Sequence, residues 1–465
     1  MNLSPWAPEY RRLSIGIVAL VSVFGFEGIA IGAVMPVAAA DLNAISNYAV
    51  AFTSFTMASL LGMTFAGLWA NKIGLSRVVV FAVAALALGS MVAGFAPNLA
   101  VLTLGRSVQG FAMGIDLVTM YVVIGRMYPE ALRAKAIGML AAAWVVPGLI
   151  GPGLAGLLVE ISSWRMTFWI VPILLIGPTT LLIPELKKMP FVPTPVRTDA
   201  RLQITSVLIA IGALSVFQAG ASHVGRWSTG LIVTIFITSL GVTAWSTKAL
   251  MPAGFLRMRE GIPAVIGMRG VIAGSFFAAE IYVPLALQEI RGVSVALSGG
   301  VLTAATITWF AGSWLQGSHK LKYSRQQVLF IGVILTSLGI ALTPAAVFIP
   351  TSIFVSALVA SFVWGIAAFG MGLCFPTLGV LLLDQSPEEE HARHSASLQM
   401  SDSFGVIIAT AIAGSVLALA SVQQGIDSKT FVTIWIFCVF VGLSALLFIP
   451  GIQRKLPIAH ERVNS

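Results

Sequence analysis

Fourteen apolar segments, each about 20 residues long, dominate the sequence. A helix of this length crosses the hydrocarbon core of a bilayer, whereas a membrane-spanning strand needs about ten residues of alternating polarity. Of the 465 residues, 57% are hydrophobic and only 10% are charged, so a soluble core could not bury all the apolar surface. The sequence therefore predicts an all-α membrane protein. The predicted segments are roughly 13–40, 48–70, 78–96, 99–126, 135–159, 167–184, 203–221, 228–247, 262–287, 295–316, 326–346, 352–383, 395–420 and 430–450.

The positive charges are distributed unevenly between the predicted loops. If the N-terminus faces the cytoplasm, 21 of the 27 Lys and Arg residues lie on the cytoplasmic side and four lie outside. The remaining two, Arg106 and Arg269, lie within the membrane. Because cytoplasmic loops of membrane proteins carry such an excess, we expect a multi-pass protein of the cell membrane with both termini in the cytoplasm. The same excess accounts for the net charge of +9, and no nucleic-acid partner is expected.

A shift of 258 residues places helices four and five on helices twelve and thirteen. Repeated halves around a central site are typical of transporters, although single-chain channels can also be repeated. We expect two six-helix bundles, at 1–184 and 248–450, with two inserted helices at 203–247. The remaining segments are a cytoplasmic linker at 185–202 and a cytoplasmic tail at 451–465. The matched pairs include Phe111 with Phe369, Met113 with Met371, Gly114 with Gly372, Pro129 with Pro387, Glu130 with Glu388, and Gly156 with Gly414.

Several local motifs resemble those of the major facilitator superfamily. The loop after helix two reads Gly67-x-x-x-Asn71-Lys72-x-Gly74-x-x-Arg77 and is similar to the loop signature of that family. Asn71 stands where the family usually has Asp, so the charge network that the family builds there is weakened or rebuilt. The other matches are Arg106-x-x-Gln109-Gly110 in helix four, Pro147-Gly148-x-x-Gly151-Pro152-Gly153-x-x-Gly156 in helix five, and Trp164-Arg165-x-x-Phe168 after it.

The motifs of helices four and five also have a physical meaning of their own. The prolines of helix five free backbone groups, and its glycines let a neighbouring helix approach closely. The motif, which resembles the antiporter motif of facilitator exporters, can therefore form a pivot or seal between the halves, or serve generic helix packing. Arg106 lies deep in the membrane, where it needs a partner or a water-filled cavity unless it reaches outward to the surface.

Four acidic residues lie within predicted membrane segments, where ionisable side chains are costly and usually functional. Glu27 lies near mid-bilayer, nine residues before Pro36, and a carboxyl removed from water can bind and release protons near neutrality. The 14-helix drug:proton antiporters carry an acidic residue at this spacing from the same proline. Asp116, Glu280 and Asp402 are the other candidates for proton coupling. For Asp402, stabilisation by the N-terminus of helix thirteen is the alternative.

Candidates for the substrate cavity are polar or aromatic residues inside the helices. Arg269 and Glu280 are three turns apart, about 16 Å, so they cannot pair directly but can line one cavity. Aromatic side chains in membrane helices more often contact lipid or pack against other helices. Where they line a cavity, they suit bulky apolar or cationic molecules. The cavity candidates are Arg106, Gln109, Trp144, Arg269, Trp309 and Trp364.

The resemblance covers nearly the whole chain and is closest to the 14-helix drug:proton antiporters. It implies a monomeric transporter that exports a hydrophobic or amphipathic small molecule, cationic ones included, by alternating access driven by a proton gradient. No phosphate-binding loop and no metal-ligand spacing occurs, so we expect neither enzyme activity nor a cofactor or metal. The alternatives are a dedicated exporter of a native lipid, siderophore or metabolite and, less in keeping with the motifs, a scramblase or channel.

Overall fold

The computed structural model describes residues 4–188, 200–318, 323–349, 352–387, 390–423 and 425–452. This part of the chain contains fourteen helical spans that are long and apolar enough to cross a membrane, which confirms the predicted number. The helices are α1 (Arg11–Asp41), α2 (Tyr48–Lys72), α3 (Leu75–Gly94), α4 (Leu99–Met127), α5 (Glu130–Ala142), α6 (Val145–Ile161), α7 (Arg165–Lys187), α8 (Ala200–Ser222), α9 (Thr229–Ser246), α10 (Ile262–Glu280), α11 (Tyr282–Arg291), α12 (Val295–Gly317), α13 (Arg325–Leu342), α14 (Pro344–Phe348), α15 (Ile353–Gln385), α16 (His391–Gln423) and α17 (Ser428–Ser444).

Three spans that the sequence predicted as continuous are broken into two helices each. The breaks separate α5 from α6, α10 from α11, and α13 from α14, and they lie just before Pro147, Pro284 and Pro344. Proline has no backbone N–H, so the carbonyl four residues earlier loses its helical partner. Pro36 and Pro376 lie inside unbroken helices, so a proline alone does not predict a break.

The spans form two bundles of six and a separate pair. In the first bundle, α4 packs along α2 and α3, while α1 packs against α6 and α7. In the second, α15 packs along α12 and α13, while α10 packs against α16 and α17. The connection between α7 and α8 was predicted as a linker, and its residues 189–199 lie outside the described part, as does the tail from residue 453.

The two bundles meet along two seams. One seam is formed by α6 and α12, and the other by α2 and α16. The α8–α9 pair lies against the second seam only, where α8 contacts both α2 and α16. Phe217 of α8 is fully buried and packs with Ala411 of α16, while Ser215 Oγ lies 3.7 Å from Met57 Sδ of α2. The inserted pair therefore spans the junction of the bundles.

Candidate functional site

A buried ion pair joins α1 to α4 inside the first bundle. The guanidinium of Arg106 donates to Oε1 of Glu27, and the two side chains are 2% and 0% exposed. Arg106 also donates to Gln109 Oε1 at 3.1 Å, and Gln109 Nε2 donates to Ser90 Oγ at 2.9 Å. The ring of Phe55 lies 4.3 Å from the guanidinium carbon. The deep arginine therefore has a partner, and this partner is the acid that the sequence placed near mid-bilayer.

The Glu27–Arg106 pair is neutral as a unit but incompletely hydrogen-bonded. Among the described residues, Glu27 Oε2 and Arg106 Nε have no hydrogen-bond partner. Removing one member of a buried ion pair costs about 3–5 kcal/mol, because the other charge is left in surroundings of low dielectric constant. A proton on Glu27 would replace the ion pair by a weaker hydrogen bond. Protonation would therefore change how firmly α1 is held against α4.

Open space reaches α1 one residue away from this pair. Gly28 is exposed although it lies in the middle of a span, and a Cβ atom added there would meet only Met113 Cε, at 3.7 Å. Arg106 and Gln109 were predicted to line the substrate cavity, but both are buried within the first bundle. Trp144 lies at the break before α6, is partly buried, and packs on Gly25 of α1.

Asp116 is the acidic residue of the first bundle without a partner. It is 4% exposed, and its Oδ1 atom has no hydrogen-bond partner in the described part of the chain. It lies two turns after Gln109, whose backbone packs on Gly89 of α3, so it is on the α4 face that packs against α3. The ten-residue spacing predicted no direct contact with Arg106, and Arg106 pairs with Glu27 instead.

A second ion pair joins α10 to α16. Arg269 Nε donates to both carboxylate oxygens of Asp402, at 2.9 and 3.1 Å, and Arg269 also donates to the carbonyl of Phe375 at 3.0 Å. The side chains are 13% and 16% exposed. Tyr121 of α4 interacts electrostatically with Arg269 across the space between the bundles. Because α16 begins at His391, Asp402 lies three turns inside the helix, so the expected role of the helix N-terminus is wrong.

Five aromatic side chains of the second bundle form a continuous group, here called the aromatic cluster. Trp364 stacks on Phe276 with ring centroids 4.9 Å apart, and Trp309 lies 5.5 Å from Phe276 and 5.1 Å from Phe375. Phe277 completes the cluster, 6.0 Å from Trp309. Both predicted tryptophans belong to it. The phenylalanines were missed, although Phe276 and Phe277 lie one turn before Glu280 on the same helix.

The aromatic cluster is bordered by charged groups at two points. The guanidinium carbon of Arg269 lies 3.4 Å from the ring centroid of Phe375. Glu280 is partly buried and interacts with the indole N–H of Trp364, but the contact is too loose for a regular hydrogen bond. Arg269 and Glu280, which the sequence could not join directly, are thus linked through aromatic rings. This surface can bind a molecule that carries both apolar and charged groups.

The loop after α2 has the conformation that its glycine demands. Gly74 has φ of 87°, a backbone conformation that residues with a Cβ rarely adopt, and α3 begins at the next residue. Lys72 and Arg77 are exposed and form no ion pair with a described acid. The side chain of Asn71 lies outside the described part, so the effect of this departure from the family pattern stays a prediction.

The helix-five motif lies on α6 and packs between α1 and α12. Gly148 faces Thr306, and Gly156 faces the backbone of Ala296, both on α12. A Cβ atom at Gly156 would lie 2.7 Å from the backbone nitrogen of Ala296, which real Cβ atoms do not approach so closely. The other members contact neighbouring helices as follows: Pro147 packs on Gly25, Gly151 on Phe26, and the carbonyl of Pro152 on Gly299.

Curated relatives of the chain include bacterial drug transporters. It is 24% identical over 434 residues to "Multidrug transporter protein MdtP" of Bacillus subtilis, covering 90% of this chain and 77% of the relative. It is 21% identical over 411 residues to "Multidrug efflux pump SdrM" of Staphylococcus aureus, covering 88% and 90%. These identities are low, and they relate the chain to transporters over most of its length.

Solved structures share the fold. A POT family transporter in complex with 5-aminolevulinic acid has a TM-score of 0.68 at 14% identity, covering 95% of this chain and 96% of the other. A D-xylose-proton symporter has a TM-score of 0.65 at 15% identity, covering 95% and 98%. The Major Facilitator Superfamily matches residues 15–369 and 270–462. Together with the fourteen spans and the two packed bundles, this match shows that the chain is a membrane transporter that belongs to the Major Facilitator Superfamily.

Proposed function

We propose that the protein is a proton-coupled exporter, a drug:proton antiporter, of hydrophobic or amphipathic small molecules, cationic ones included. The observation that carries the proposal is the buried Glu27–Arg106 pair, one residue from open space at Gly28. A membrane transporter gains little stability from such a pair, which points to a working role. The relatives named as multidrug transporters support export.

The inserted pair and the charge distribution support the rest of the arrangement. We divide the chain into bundles at 1–184 and 248–450, with the linker at 185–202, the inserted pair at 203–247 and the tail at 451–465. Both termini face the cytoplasm in this proposal, because 21 of 27 Lys and Arg residues then lie on that side. The loop residues Asn71, Lys72, Gly74 and Arg77 would contribute to the cytoplasmic gate.

In this orientation the bundles touch near their outer ends. Tyr48 Oη of α2 donates to the carbonyl of Ile281 at 2.9 Å, and Gln288 Nε2 of α11 donates to the carbonyl of Ala33 at 3.0 Å. These contacts join opposite bundles where α1 ends and α2 begins. We infer an inward-facing state, in which the aromatic cluster and Gly28 are reached from the cytoplasm.

The proposed cycle requires that proton and substrate favour different states. In the inward-facing state, substrate binds at the aromatic cluster while Glu27 releases its proton to the cytoplasm. After the bundles rock, substrate leaves and Glu27 takes up a proton from outside. Asp116, Glu280 and Asp402 are the further proton-coupling acids of this proposal. The coupling uses the proton gradient and needs no cofactor.

Transport by the purified protein in acid-loaded proteoliposomes tests this proposal. Protons leaving the vesicles should drive uptake of a hydrophobic aromatic compound, and uptake should grow as the interior becomes more acidic. A protonophore should abolish the uptake. A panel of neutral and cationic dyes tests breadth, since a dedicated exporter would accept one compound class. Dissipation of a preset dye gradient without exchange of labelled for unlabelled dye would identify a channel and refute the proposal.

Trp309 is expected to contribute to substrate affinity. In Trp309→Leu the contacts to Phe276 and Phe375 are lost, and an aromatic pair contributes about 0.5–1.5 kcal/mol, so the Kd for an aromatic substrate should rise about 2–13-fold. Fluorescence binding to the purified protein measures this change. Trp314→Leu is the matched control, because Trp314 is on the same helix and 60% exposed. Equal Kd values for the two variants would contradict a cavity at the aromatic cluster.

A further inference from the structure

The internal repeat is visible in the packing of α4 and α15, residue by residue. Gly114 of α4 packs on the carbonyl of Ser59 of α2. Gly372 of α15 packs in the same way on the carbonyl of Trp309 of α12. A side chain at either glycine would collide with the neighbouring backbone. The two glycines are 258 positions apart, which is the shift found in the sequence.

The contact with the third helix of each bundle repeats at the same shift. Gly89 of α3 packs on the carbonyl of Gly105 in α4, and Gly339 of α13 packs on the carbonyl of Val363 in α15. Gly105 and Val363 are again 258 positions apart. The alignment of α4 with α15 is therefore fixed on two faces, and it makes the next residues, Arg106 and Trp364, structurally equivalent.

These equivalent residues each place an N–H group beside an acid on the first helix of their bundle. Arg106 meets Glu27 of α1, and Trp364 meets Glu280 of α10. The first bundle therefore neutralises its acid with a permanent cation. The second bundle offers only a neutral indole, whose Nε1 atom is fully buried and lacks a regular partner among the described residues.

No described basic group balances the charge of Glu280. Its carboxyl forms no ion pair with a Lys, Arg or His within 4.0 Å in the part of the chain that the structure describes. The helix α12 carries no charged residue, and Arg269 on α10 is already held by Asp402. The other titratable groups on packed elements are Tyr48 of α2, Tyr282 of α11, Cys374 and Asp384 of α15, Cys438 and Lys429 of α17, and Asp402 of α16.

The surroundings of Glu280 also depend on whether the bundles touch. Glu280 is the last residue of α10, and the next residue, Ile281, accepts the hydrogen bond from Tyr48 of the opposite bundle. The rings of Tyr48 and Tyr282 are 5.8 Å apart. Separating the bundles at this point would remove these contacts and admit water to the carboxyl. The affinity of Glu280 for a proton would then differ between the two states, as coupling requires.

We propose that Glu280, beside Trp364, is a second proton-binding site that carries one proton per transport cycle in addition to the proton on Glu27. The inference rests on the proposed function and extends it. In each cycle a proton from the outer water binds one carboxylate oxygen of Glu280. The same O–H bond breaks when the bundles rock back, and the proton leaves to the cytoplasm.

Infrared spectroscopy of the reconstituted protein tests the proton site without any substrate. A pH titration of wild type should show protonated-carboxyl bands, and Glu280→Gln should lack one of them. Glu289→Gln is the control, because Glu289 lies in the same span and is exposed. Trp364→Phe should retain the band but shift its frequency, because the indole N–H is gone. A Glu280→Gln spectrum identical to that of wild type would overturn the site, and an unshifted band in Trp364→Phe would overturn the role of the indole.

Transport of tetraphenylphosphonium tests whether this proton is carried. At zero membrane potential, a pH difference of one unit adds about a factor of ten per proton to the limiting substrate ratio across the vesicle. Glu280→Gln should therefore lower the limiting ratio about tenfold, while Glu289→Gln leaves it unchanged. An unchanged ratio in Glu280→Gln would overturn the second carried proton. If wild type shows no pH-driven transport, the proposed function and the carried proton both fail, and the infrared result still decides the binding site.

Discussion

Replacing Glu27 by Gln is expected to abolish pH-driven transport while the protein remains folded. Glutamine keeps a carbonyl that can accept the hydrogen bond from Arg106, but it cannot ionise and so cannot exchange a proton. The remaining cost is the loss of the ionic partner of Arg106, about 1–3 kcal/mol. The initial rate of substrate uptake into acid-loaded proteoliposomes should fall to that of protein-free vesicles. Thermal unfolding of the purified variant checks that the fold survives.

The matched control for this variant is Glu160→Gln. Glu160 is exposed near the end of α6, so neutralising it changes the total charge by the same amount without touching the pair. It should transport at the wild-type rate. Full pH-driven transport by a well-expressed Glu27→Gln variant would refute the assignment of Glu27. Loss of transport with a collapsed melting temperature would point to a structural role.

Replacing Gly156 by Val should arrest the transport cycle through a steric effect. The added side chain would collide with the backbone of Ala296 across the seam between α6 and α12. Overpacking costs about 1–3 kcal/mol, which is about a 5–150-fold shift between two states. The shift should favour the state in which this end of the seam is open. Uptake should fall by a similar factor, and reagents should label a cysteine introduced at Ala296 faster than in the parent protein.

Gly153→Val is a sharp control, because it lies in the same motif and a Cβ atom there meets no atom within 4 Å. It adds the same bulk to the same helix without entering the seam. Equal transport by the Gly153 and Gly156 variants would show that the motif is not a seal. A lower melting temperature in the Gly156 variant alone would indicate ordinary packing rather than control of the transport states.

The fourteen spans could be predicted because membrane helices are written in local composition. The same holds for Glu27 and Arg106, which stand out because charge is rare at that depth. Their pairing could not be predicted, since it depends on how α1 approaches α4 across 79 positions of sequence. Glycine contacts fix that approach, and they act only once the helices are assembled.

The second bundle shows a different limit. The sequence correctly judged that Arg269 could not reach Glu280, but its partner, Asp402, lies 133 positions away on another helix. The position of Asp402 within its helix was misjudged because α16 begins at His391 rather than near residue 395. A polar stretch of His, Arg and Ser precedes the apolar run, and hydrophobicity alone does not show that the helix already includes it. Phe375 was missed because a phenylalanine in an apolar helix carries no signal of its own.

The inserted α8–α9 pair gives the transporter two unlike sides toward the lipid. On one side, α8 lies against the junction of α2 and α16, so a molecule dissolved in the bilayer meets a helix instead of the seam. On the other side, α6 and α12 meet directly, and Leu149, Leu157 and Ile307 are exposed there. An apolar compound that enters from the membrane would therefore have a single lateral route, which begins beside the glycines of the helix-five motif.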